Sequence, residues 1–161
     1  MTIRQAFPKD AAEICEIINP IIQDTLTTFT TRLRNPEETR LEIEQRGAAF
    51  MVAEEAEKVI GFASFGPFRA GPGYAHSKEL SIHLASHAQG QGHGRQLMRS
   101  LELIAVRNSV HVLIAAISSA NPGAVKFHRK QGFEQVGHMP NVGFKHGRWL
   151  DLILMQKRLL P

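Results

Sequence analysis

The stretch AQGQGHGRQLM, residues 88–98, places three glycines on alternate positions (Gly90, Gly92 and Gly94) directly before an apolar, helix-like segment. Glycine is a poor helix former, so its repeated use where a helix begins needs a local reason. The first amides of a helix have no partner inside the helix and lie at the positive end of its dipole. Glycines there let a bulky anion approach without meeting a Cβ atom. The stretch therefore predicts an anion cradle, with a loose turn as the alternative.

Two common phosphate-binding motifs do not fit this stretch. A Walker A loop needs Gly-Lys-Ser/Thr after its second glycine, which is absent. A Rossmann fingerprint needs Gly-x-Gly-x-x-Gly and an acidic residue at the end of the next strand. Here the spacing is Gly-x-Gly-x-Gly and the next strand-like segment ends in AAISSAN, without an acid. The sequence disfavours both nucleotide-binding folds.

The composition is that of an ordinary soluble domain, with 161 residues of which 43% are hydrophobic and 21% charged. No apolar run reaches the length of a membrane span, and the N-terminus MTIRQAFPKD lacks a signal-peptide core, so a cytoplasmic protein without a membrane partner is expected. The single cysteine, Cys15, excludes an internal disulfide framework. A formal charge of +4 without long basic runs argues against a nucleic-acid partner. Eight histidines without ligand spacing argue against a metal site.

Hydrophobic periodicity and turn residues predict eleven elements. Strands are expected at TIRQAF, AAFMVAEE, KVIGFASFG, ELSIHLA, HVLIAAIS, FEQVGHM and RWLDLILMQ, and loops at DTLTTFTTR and FRAGPGYAHS. Helices are expected after Asp10 with Glu13 as its capping-box partner, from Asn35-Pro36 to Gly47, from about Gln91 to Arg107, and from Asn121-Pro122 to Gly132. The order β-α-α-β-β-β-α-β-α-β-β predicts one α+β domain.

The pattern Gln89-x-x-Gly92-x-Gly94, between a strand and a long helix, resembles the acetyl-CoA-binding motif of the GCN5-related N-acetyltransferase (GNAT) superfamily. The segments ELSIHL, ISSANPGAVKFHRKQGF, VGFKHGRWLDLILMQ and FASFGPFR resemble its phosphinothricin and methionine sulfone/sulfoximine acetyltransferase branch. The resemblance covers essentially the whole chain. It implies a single domain over residues 1–161, a mixed and mostly antiparallel central sheet flanked by helices, acetyl-CoA as the donor, no metal, and a homodimer.

The resemblance also assigns residues to the donor site. The diphosphate cradle would be formed by Gln89, Gly90, Gln91, Gly92, His93, Gly94 and Arg95. In the superfamily the strand before the cradle bulges away from its neighbour, so Ile82, His83 and Leu84 are expected to contact the pantetheine arm through their backbone. Asn121, which also caps a helix, would bind the same arm, and Lys130 is a candidate phosphate ligand.

Three catalytic assignments follow from the same resemblance. Only a neutral amine attacks a thioester, and a carboxylate at the mouth of the site can take the amine proton. The branch places this general base at Glu79. The backbone N–H of Leu84 would face the thioester oxygen. His128 would protonate the leaving thiolate or pack against the donor.

The substrate side of the site is predicted from charge and position. An amino-acid substrate has a carboxylate that pairs well with an arginine fork, and Arg69 is the candidate by family position, with Lys145 and Arg148 as alternatives. The other candidate substrate contacts are Tyr74, Glu79, Leu80, Ser81, Phe29 and Thr30.

The expected activity is direct acetyl transfer from acetyl-CoA to the amine of a small amino acid such as methionine sulfoximine, methionine sulfone or phosphinothricin. Two alternatives stay open: acetylation of a different amine (a protein N-terminus, a polyamine or an aminoglycoside) and a non-catalytic acyl-CoA sensor. Cys15 lies in the first predicted helix, far along the sequence from every site segment, which makes a covalent acyl-enzyme an unfavoured route.

Overall fold

The computed structural model describes residues 1–159, so the two C-terminal residues of the predicted 1–161 domain lie outside the described part. Seven strands and four α-helices follow the predicted order. The strands are β1 (Thr2–Gln5), β2 (Phe50–Glu55), β3 (Lys58–Pro67), β4 (Ser77–Leu84), β5 (Val112–Ser118), β6 (Glu134–Lys145) and β7 (Arg148–Arg158). The helices are α1 (Ala11–Asp24), α2 (Pro36–Arg46), α3 (His93–Arg107) and α4 (Pro122–Lys130).

The strands form one sheet in the order β1-β2-β3-β4-β5-β7-β6. Every neighbouring pair is antiparallel except β4 and β5, which run parallel. This confirms the predicted mixed, mostly antiparallel sheet. The only parallel pair lies in the middle of the sheet, where a helical crossover through α3 connects the two strands, as parallel neighbours require.

Two apolar clusters cover the two faces of the sheet. One cluster packs α3 onto the sheet through residues that include Leu97, Met98 and Leu101. The other packs α1 and α2 onto the opposite face and includes Ile14, Ile18, Ile22 and Ile43. Successive side chains of a strand point to opposite faces, so each central strand contributes to both clusters.

The start of α2 agrees with the sequence prediction, and the start of α1 does not. The Asn35 side chain does accept the amide of Glu38 at 2.8 Å, as a helix cap should. The expected Asp10–Glu13 capping box is wrong, because both carboxylates have partners elsewhere. Asp10 accepts from Arg4 Nη1 and from the Phe7 amide, each at 2.7 Å, and Glu13 accepts from the Val59 amide at 2.6 Å.

The last hairpin is longer than predicted, since β6 continues to Lys145 rather than ending near Met139. The register between β6 and β7 shifts between Met139 and Gly143, which indicates a bulge. Within it Asn141 has a positive φ of 55°, and its amide donates to Asp151 Oδ1 at 2.9 Å. Proline and a left-handed residue interrupt the alternating pattern here, so sequence periodicity alone ends the strand too early.

Candidate active site

Strands β4 and β5 pair over three residues only, from Ser77 opposite Val112 to Glu79 opposite Ile114. Beyond that point β4 continues to pair with β3 and β5 with β7, but the two strands no longer pair with each other. The separation opens a cleft of about 630 Å³ in the middle of the sheet. Ala116, expected to be buried in a central strand, is exposed because it lines this cleft.

The cleft brings together nine of the predicted site residues. They are Phe29, Arg69, Glu79, Leu80, Ser81, Ile82, His83, Asn121 and His128. Sequence reasoning missed the rest of the lining, notably Thr27 and Thr28 from the α1–α2 loop, Phe68, and the β6–β7 side chains Met139, Leu152 and Leu154. The consecutive alanines in AAIS were the available signal on β5, since small side chains leave room beside a strand.

The glycine stretch opens α3 two residues later than predicted. Gly90 and Gly92 have φ angles of +76° and +84°, a left-handed conformation that glycine adopts without strain, and the helix begins at His93. Open space lies where a Cβ would stand on either of them. Gly94 has a different role, because its Cβ would stand 3.4 Å from Leu84 Cδ1 and 3.4 Å from the Phe127 ring, so its small size lets α3 pack closely.

The start of α3 fits a bound anion. The first helical hydrogen bond runs from the Gln96 amide to the Gly92 carbonyl at 3.3 Å, so the amides of His93, Gly94 and Arg95 precede the hydrogen-bonded ladder. The His93 side chain is buried, so any contact that it makes with an anion is through its backbone. The side chains of Gln89 and Gln91 bond to the Leu84 and His87 carbonyls, at 3.4 and 2.7 Å, and brace the turn.

His128 is a buried, neutral imidazole. Its Nδ1 lies 2.9 Å from the Ala124 carbonyl, and because a carbonyl only accepts, Nδ1 carries the proton. Burial lowers the pKa of His128, and the Ala124 bond opposes that effect only in part. Nε2 therefore has a bare lone pair, and it is buried without a partner among the described residues. In this state His128 Nε2 can accept a hydrogen bond but has no proton to donate.

Glu79 and His83 are on the same face of β4, where their surroundings raise the pKa of Glu79 and lower the pKa of His83. The protein around Glu79 desolvates the carboxyl and raises its pKa, although the side chain still reaches solvent at the cleft mouth, and the charge of Arg46 acts against that increase. Burial, aided by the charge of Arg34, lowers the pKa of His83 to about 4. His83 packs on Phe62 with ring centroids 5.3 Å apart and is uncharged at neutral pH.

Arg69 is the predicted substrate cation that lines the cleft. Its guanidinium lies 5.5 Å from the centroid of the Phe68 ring, and Phe68 in turn contacts Tyr74 edge-on at 6.1 Å. Tyr74 thus packs against Phe68 and is not itself among the residues that line the cleft. Arg148 and Lys130 are exposed at the ends of β7 and α4, outside the lining of the cleft.

Lys145 is not a cleft residue but an anchor for the α1–α2 loop. Its side chain is 1% exposed, and Nζ donates to the carbonyl and hydroxyl of Thr28 at 3.0 and 3.1 Å. Burial lowers the pKa of Lys145. Ser118 Oγ holds the same loop by donating to the Leu26 carbonyl at 2.6 Å. The candidate role of Lys145 as a carboxylate ligand does not fit this placement; its role is to fix the Thr27–Phe29 wall.

Residues 1–159 contain no cluster of three or more His, Cys, Asp or Glu side chains arranged to hold a metal ion. None of the helices in the same range is long and apolar enough to cross a membrane. Cys15 is buried, with Sγ 3.3 Å from Thr39 Oγ1 between α1 and α2. The lining of the cleft itself presents carboxylate, guanidinium and imidazole side chains, from Glu79, Arg69, His83 and His128.

The protein family described as "Acetyltransferase (GNAT) domain" matches residues 3–154 of the chain. The chain therefore belongs to the GNAT acetyltransferase family, and it is an acetyl-CoA-dependent N-acetyltransferase. It is 38% identical to an L-methionine sulfoximine/L-methionine sulfone acetyltransferase of Salmonella typhimurium, over 99% of this chain and 95% of that one. It is 31% identical to a phosphinothricin N-acetyltransferase of Streptomyces coelicolor, over 98% and 95% of the two chains. These relatives confirm the predicted branch.

Two solved structures share the fold closely. The acetyltransferase yncA of Salmonella typhimurium, solved with acetyl-CoA, superposes with a TM-score of 0.95 at 36% identity, over 100% of this chain and 95% of that one. A ribosomal-protein-alanine N-acetyltransferase from Brucella melitensis superposes with a TM-score of 0.93 at 41% identity, over 98% and 99%. The curated relatives are described by small amino-acid acceptors and the Brucella melitensis structure by a ribosomal protein, so overall similarity leaves the acceptor of this chain open.

The bulge in β6 makes room for the Phe29 ring, which lines the cleft, and this is open to test. A Cβ on Gly143 would stand 2.7 Å from the Phe29 ring, closer than side-chain atoms approach, so Gly143→Ala must displace Phe29. Overpacking of this kind costs about 1–3 kcal/mol. We expect Gly143→Ala to raise the KM for the acceptor about tenfold while the affinity for acetyl-CoA stays unchanged. Steady-state kinetics with titration calorimetry measure both quantities.

Gly137→Ala in the same strand is the matched control. A Cβ there would meet Leu154 Cδ1 at 3.4 Å, an ordinary contact, so the acceptor KM should stay near the wild-type value. Equal effects of the two substitutions would show that the Gly143–Phe29 contact does not shape the acceptor pocket.

Proposed function

We propose that the protein transfers the acetyl group of acetyl-CoA to the α-amine of a small amino acid of the methionine sulfoximine, methionine sulfone or phosphinothricin type. The observation that carries the proposal is that Arg69 and Glu79 both line the same cleft. An amino acid presents a carboxylate for a cation and an ammonium for a base, and this cleft offers one of each. Thr27, Thr28 and Phe29 wall the remaining space for a side chain.

The donor is proposed to lie along the separated strands. Acetyl-CoA supplies a thioester whose carbonyl carbon the amine attacks. The early amides of α3 would hold the diphosphate, and Ile82, His83 and Leu84 would offer backbone groups to the pantetheine arm. The Asn121 carbonyl oxygen Oδ1 is already bonded to the Ala124 amide at 3.0 Å, which leaves the Nδ2 group to donate. Lys130 is proposed to reach a phosphate from the end of α4.

The proposed proton path starts at Glu79. Its raised pKa suits a base that must accept a proton near neutrality and then release it. The amine loses its proton to the Glu79 carboxylate, directly or through one water, and keeps the electron pair for attack. The Leu84 amide would stabilise the negative charge that develops on the thioester oxygen. Collapse of the tetrahedral intermediate breaks the C–S bond and expels CoA as a thiolate, while the acetylated nitrogen loses its remaining extra proton to this thiolate or to solvent. His128, with Nε2 unprotonated, is proposed to accept a hydrogen bond from acetyl-CoA rather than to protonate its sulfur.

A second acceptor class has one observation in its favour. The Brucella melitensis structure described as a ribosomal-protein-alanine N-acetyltransferase is 41% identical to this chain. The rival function is therefore acetylation of a protein N-terminus. A peptide acceptor has no carboxylate next to its amine, so it would leave Arg69 without that partner. Acetylation of polyamines or aminoglycosides has no comparable support, since these acceptors are cations and the cleft presents a cation. A non-catalytic acyl-CoA sensor has no comparable support either.

A cytoplasmic location stays a prediction from sequence.

An acceptor panel tests the proposed substrate class. We expect the purified protein with acetyl-CoA to acetylate methionine sulfone, methionine sulfoximine or phosphinothricin with a kcat/KM at least about tenfold above that for alanine-initiated peptides, spermidine or kanamycin. Thiol release followed spectroscopically measures each rate. A preference for the peptides would instead establish the rival function.

Arg69→Gln locates the carboxylate site within the same panel. Loss of a charged hydrogen bond costs about 1.5–3 kcal/mol, so the KM for the favoured amino acid should rise by about tenfold or more. Arg148→Gln is the matched control, because Arg148 lies outside the cleft, and it should leave this KM unchanged. The reverse result would move the carboxylate site to Arg148.

Glu79→Gln tests the general base. Removal of a general base typically lowers kcat by about 100-fold or more, and the acid limb of the kcat/KM profile should disappear. Calorimetry should find unchanged affinity for acetyl-CoA. His128→Gln serves as the comparison, since loss of a donor contact should raise the KM for acetyl-CoA without moving the acid limb. A wild-type rate in Glu79→Gln would refute the base assignment.

We also propose a homodimer formed through the β6–β7 hairpin. This hairpin exposes five large apolar side chains, Val136, Met139, Val142, Phe144 and Trp149, of which Trp149 is 65% exposed. Phe144 and Trp149 contact each other with tilted rings whose centroids are 4.8 Å apart. Exposed apolar surface that is grouped on one hairpin is typical of interaction sites.

Sedimentation equilibrium tests the dimer. The wild-type chain should sediment at twice the mass of the 17.9 kDa chain, and Trp149→Glu should shift it toward the monomer. Leu103→Glu is the control, because Leu103 is similarly exposed but lies on α3. A wild-type monomer would contradict the proposal.

A further inference from the structure

Arg46, the last residue of α2, lies directly over strand β3. A Cβ built on Gly66 would stand 3.2 Å from the Arg46 guanidinium carbon, so the absence of a side chain at Gly66 makes room for this arginine. Arg46 Nη1 donates to Ser64 Oγ at 3.0 Å, two residues along the same face of β3. Arg46 is thus fixed against the sheet rather than extended into solvent.

The strand register places this guanidinium beside Glu79. Gly66 is directly opposite Glu79 in the β3–β4 pair, and Ser64 is opposite Ser81. Side chains of directly opposed residues leave the sheet on the same face, with Cβ atoms about 5 Å apart. The Glu79 carboxylate forms no hydrogen bond or ion pair with a side chain in 1–159, so Arg46 acts on it through space, as its effect on the Glu79 pKa indicates.

A neighbouring carboxylate only partly neutralises the arginine. Glu42 Oε1 lies 2.8 Å from Arg46 Nη2, and Glu42 Oε2 lies 3.0 Å from Arg34 Nη1. Two guanidinium groups therefore share one carboxylate, and the three groups have a net charge of +1. With an ionised Glu79 the set is neutral, and with a protonated Glu79 it has an excess positive charge.

We propose that Arg46 is a positioning residue that keeps Glu79 ionised between turnovers, with Glu42 setting the strength of its effect. The proposal rests on the proposed function, in which Glu79 is the base. When the amine gives up its proton, an N–H bond breaks and an O–H bond forms on Glu79, and the cluster becomes positive. That excess charge favours release of the proton to solvent at the mouth of the cleft and so resets the base.

The other groups around Glu79 are few. His83 is on the same face of β4 and is uncharged at neutral pH, and His128 lies across the cleft and is neutral. Arg69 lines the cleft from the β3–β4 loop, and Ile114 is the apolar partner on β5. Among the described residues that line the cleft, Arg69 is the cation, and the proposed function reserves it for substrate. Arg46 is the charge that faces Glu79 from the helical layer.

The test uses the full-length protein and two independent readouts. Carbon NMR of the glutamate carboxyls, with the Glu79 signal assigned by its loss in Glu79→Gln, gives the pKa of Glu79 without substrate. The pH profile of kcat/KM gives the acid limb. An opposite charge nearby typically moves a carboxyl pKa by 1 or more, so Arg46→Gln should raise the pKa of Glu79 by about 1 and move the acid limb upward equally. Arg46→Lys keeps the positive charge, so it should leave the Glu79 pKa and the acid limb close to their wild-type values.

Two further variants separate charge from structure. Glu42→Gln removes the neutralising carboxylate, so it should lower the pKa of Glu79, in the direction opposite to Arg46→Gln. A merely structural role predicts no such reversal, and the test survives even if Arg46→Gln folds poorly. Arg40→Gln is the matched control on the same helix, because Arg40 pairs with Glu37 and Glu44 on the exposed side and should change neither readout.

The outcomes distinguish this inference from the proposed function. An unchanged Glu79 pKa in both Arg46→Gln and Glu42→Gln overturns the role of Arg46, whatever Glu79 does in catalysis. A wild-type rate in Glu79→Gln overturns the base assignment and the proposal that rests on it. Opposite pKa changes in the two variants, followed by the acid limb, establish the inference.

Discussion

The separation of β4 from β5 after three paired residues is the constraint on which the site depends. Ending a ladder inside a sheet leaves backbone amides and carbonyls unpaired, and such groups are costly unless a ligand or water replaces the lost partner. The remaining β4–β3 and β5–β7 pairs hold the two strands apart. In the proposed function, the amide-containing arm of acetyl-CoA would take the place of the missing strand. Binding of the donor would then offset the cost of the open sheet.

The same strand also divides structural from chemical roles. Leu80, Ile82 and Leu84 face the α3 side and contribute to the apolar cluster there. Glu79 and His83 face α2 and the α1–α2 loop, where desolvation and two arginines shift their pKa values. Alternation along one strand is therefore enough to anchor the backbone on one face and to present titratable groups on the other. A one-residue slip of β4 would exchange the two sets.

Sequence reasoning predicted what is local and failed where a contact links distant segments. The order of the elements and the Asn35 cap follow from short patterns, and the structure confirms both. Lys145 looked like a surface cation, yet Thr28, more than a hundred residues earlier in the chain, buries its ammonium. Nothing near Gly143 in sequence indicates that the Phe29 ring lies against it. Arg46 likewise acquires meaning only from the β3–β4 register.

In the proposed function, the donor and acceptor halves of the cleft are supported by different parts of the molecule. The donor half is built from β4, β5 and the helix starts at Gly92 and Asn121, all of which belong to the central sheet and its crossovers. The acceptor half is formed by the α1–α2 loop and the β3–β4 loop, held in place by side chains such as Ser118 and Lys145. Loops tolerate substitution better than paired strands do. Relatives can therefore share the donor half and still be described by different acceptors, as the phosphinothricin N-acetyltransferase and the ribosomal-protein-alanine N-acetyltransferase are. In the proposed function, substrate identity would depend on the anchored loops, and overall similarity of the fold does not determine it.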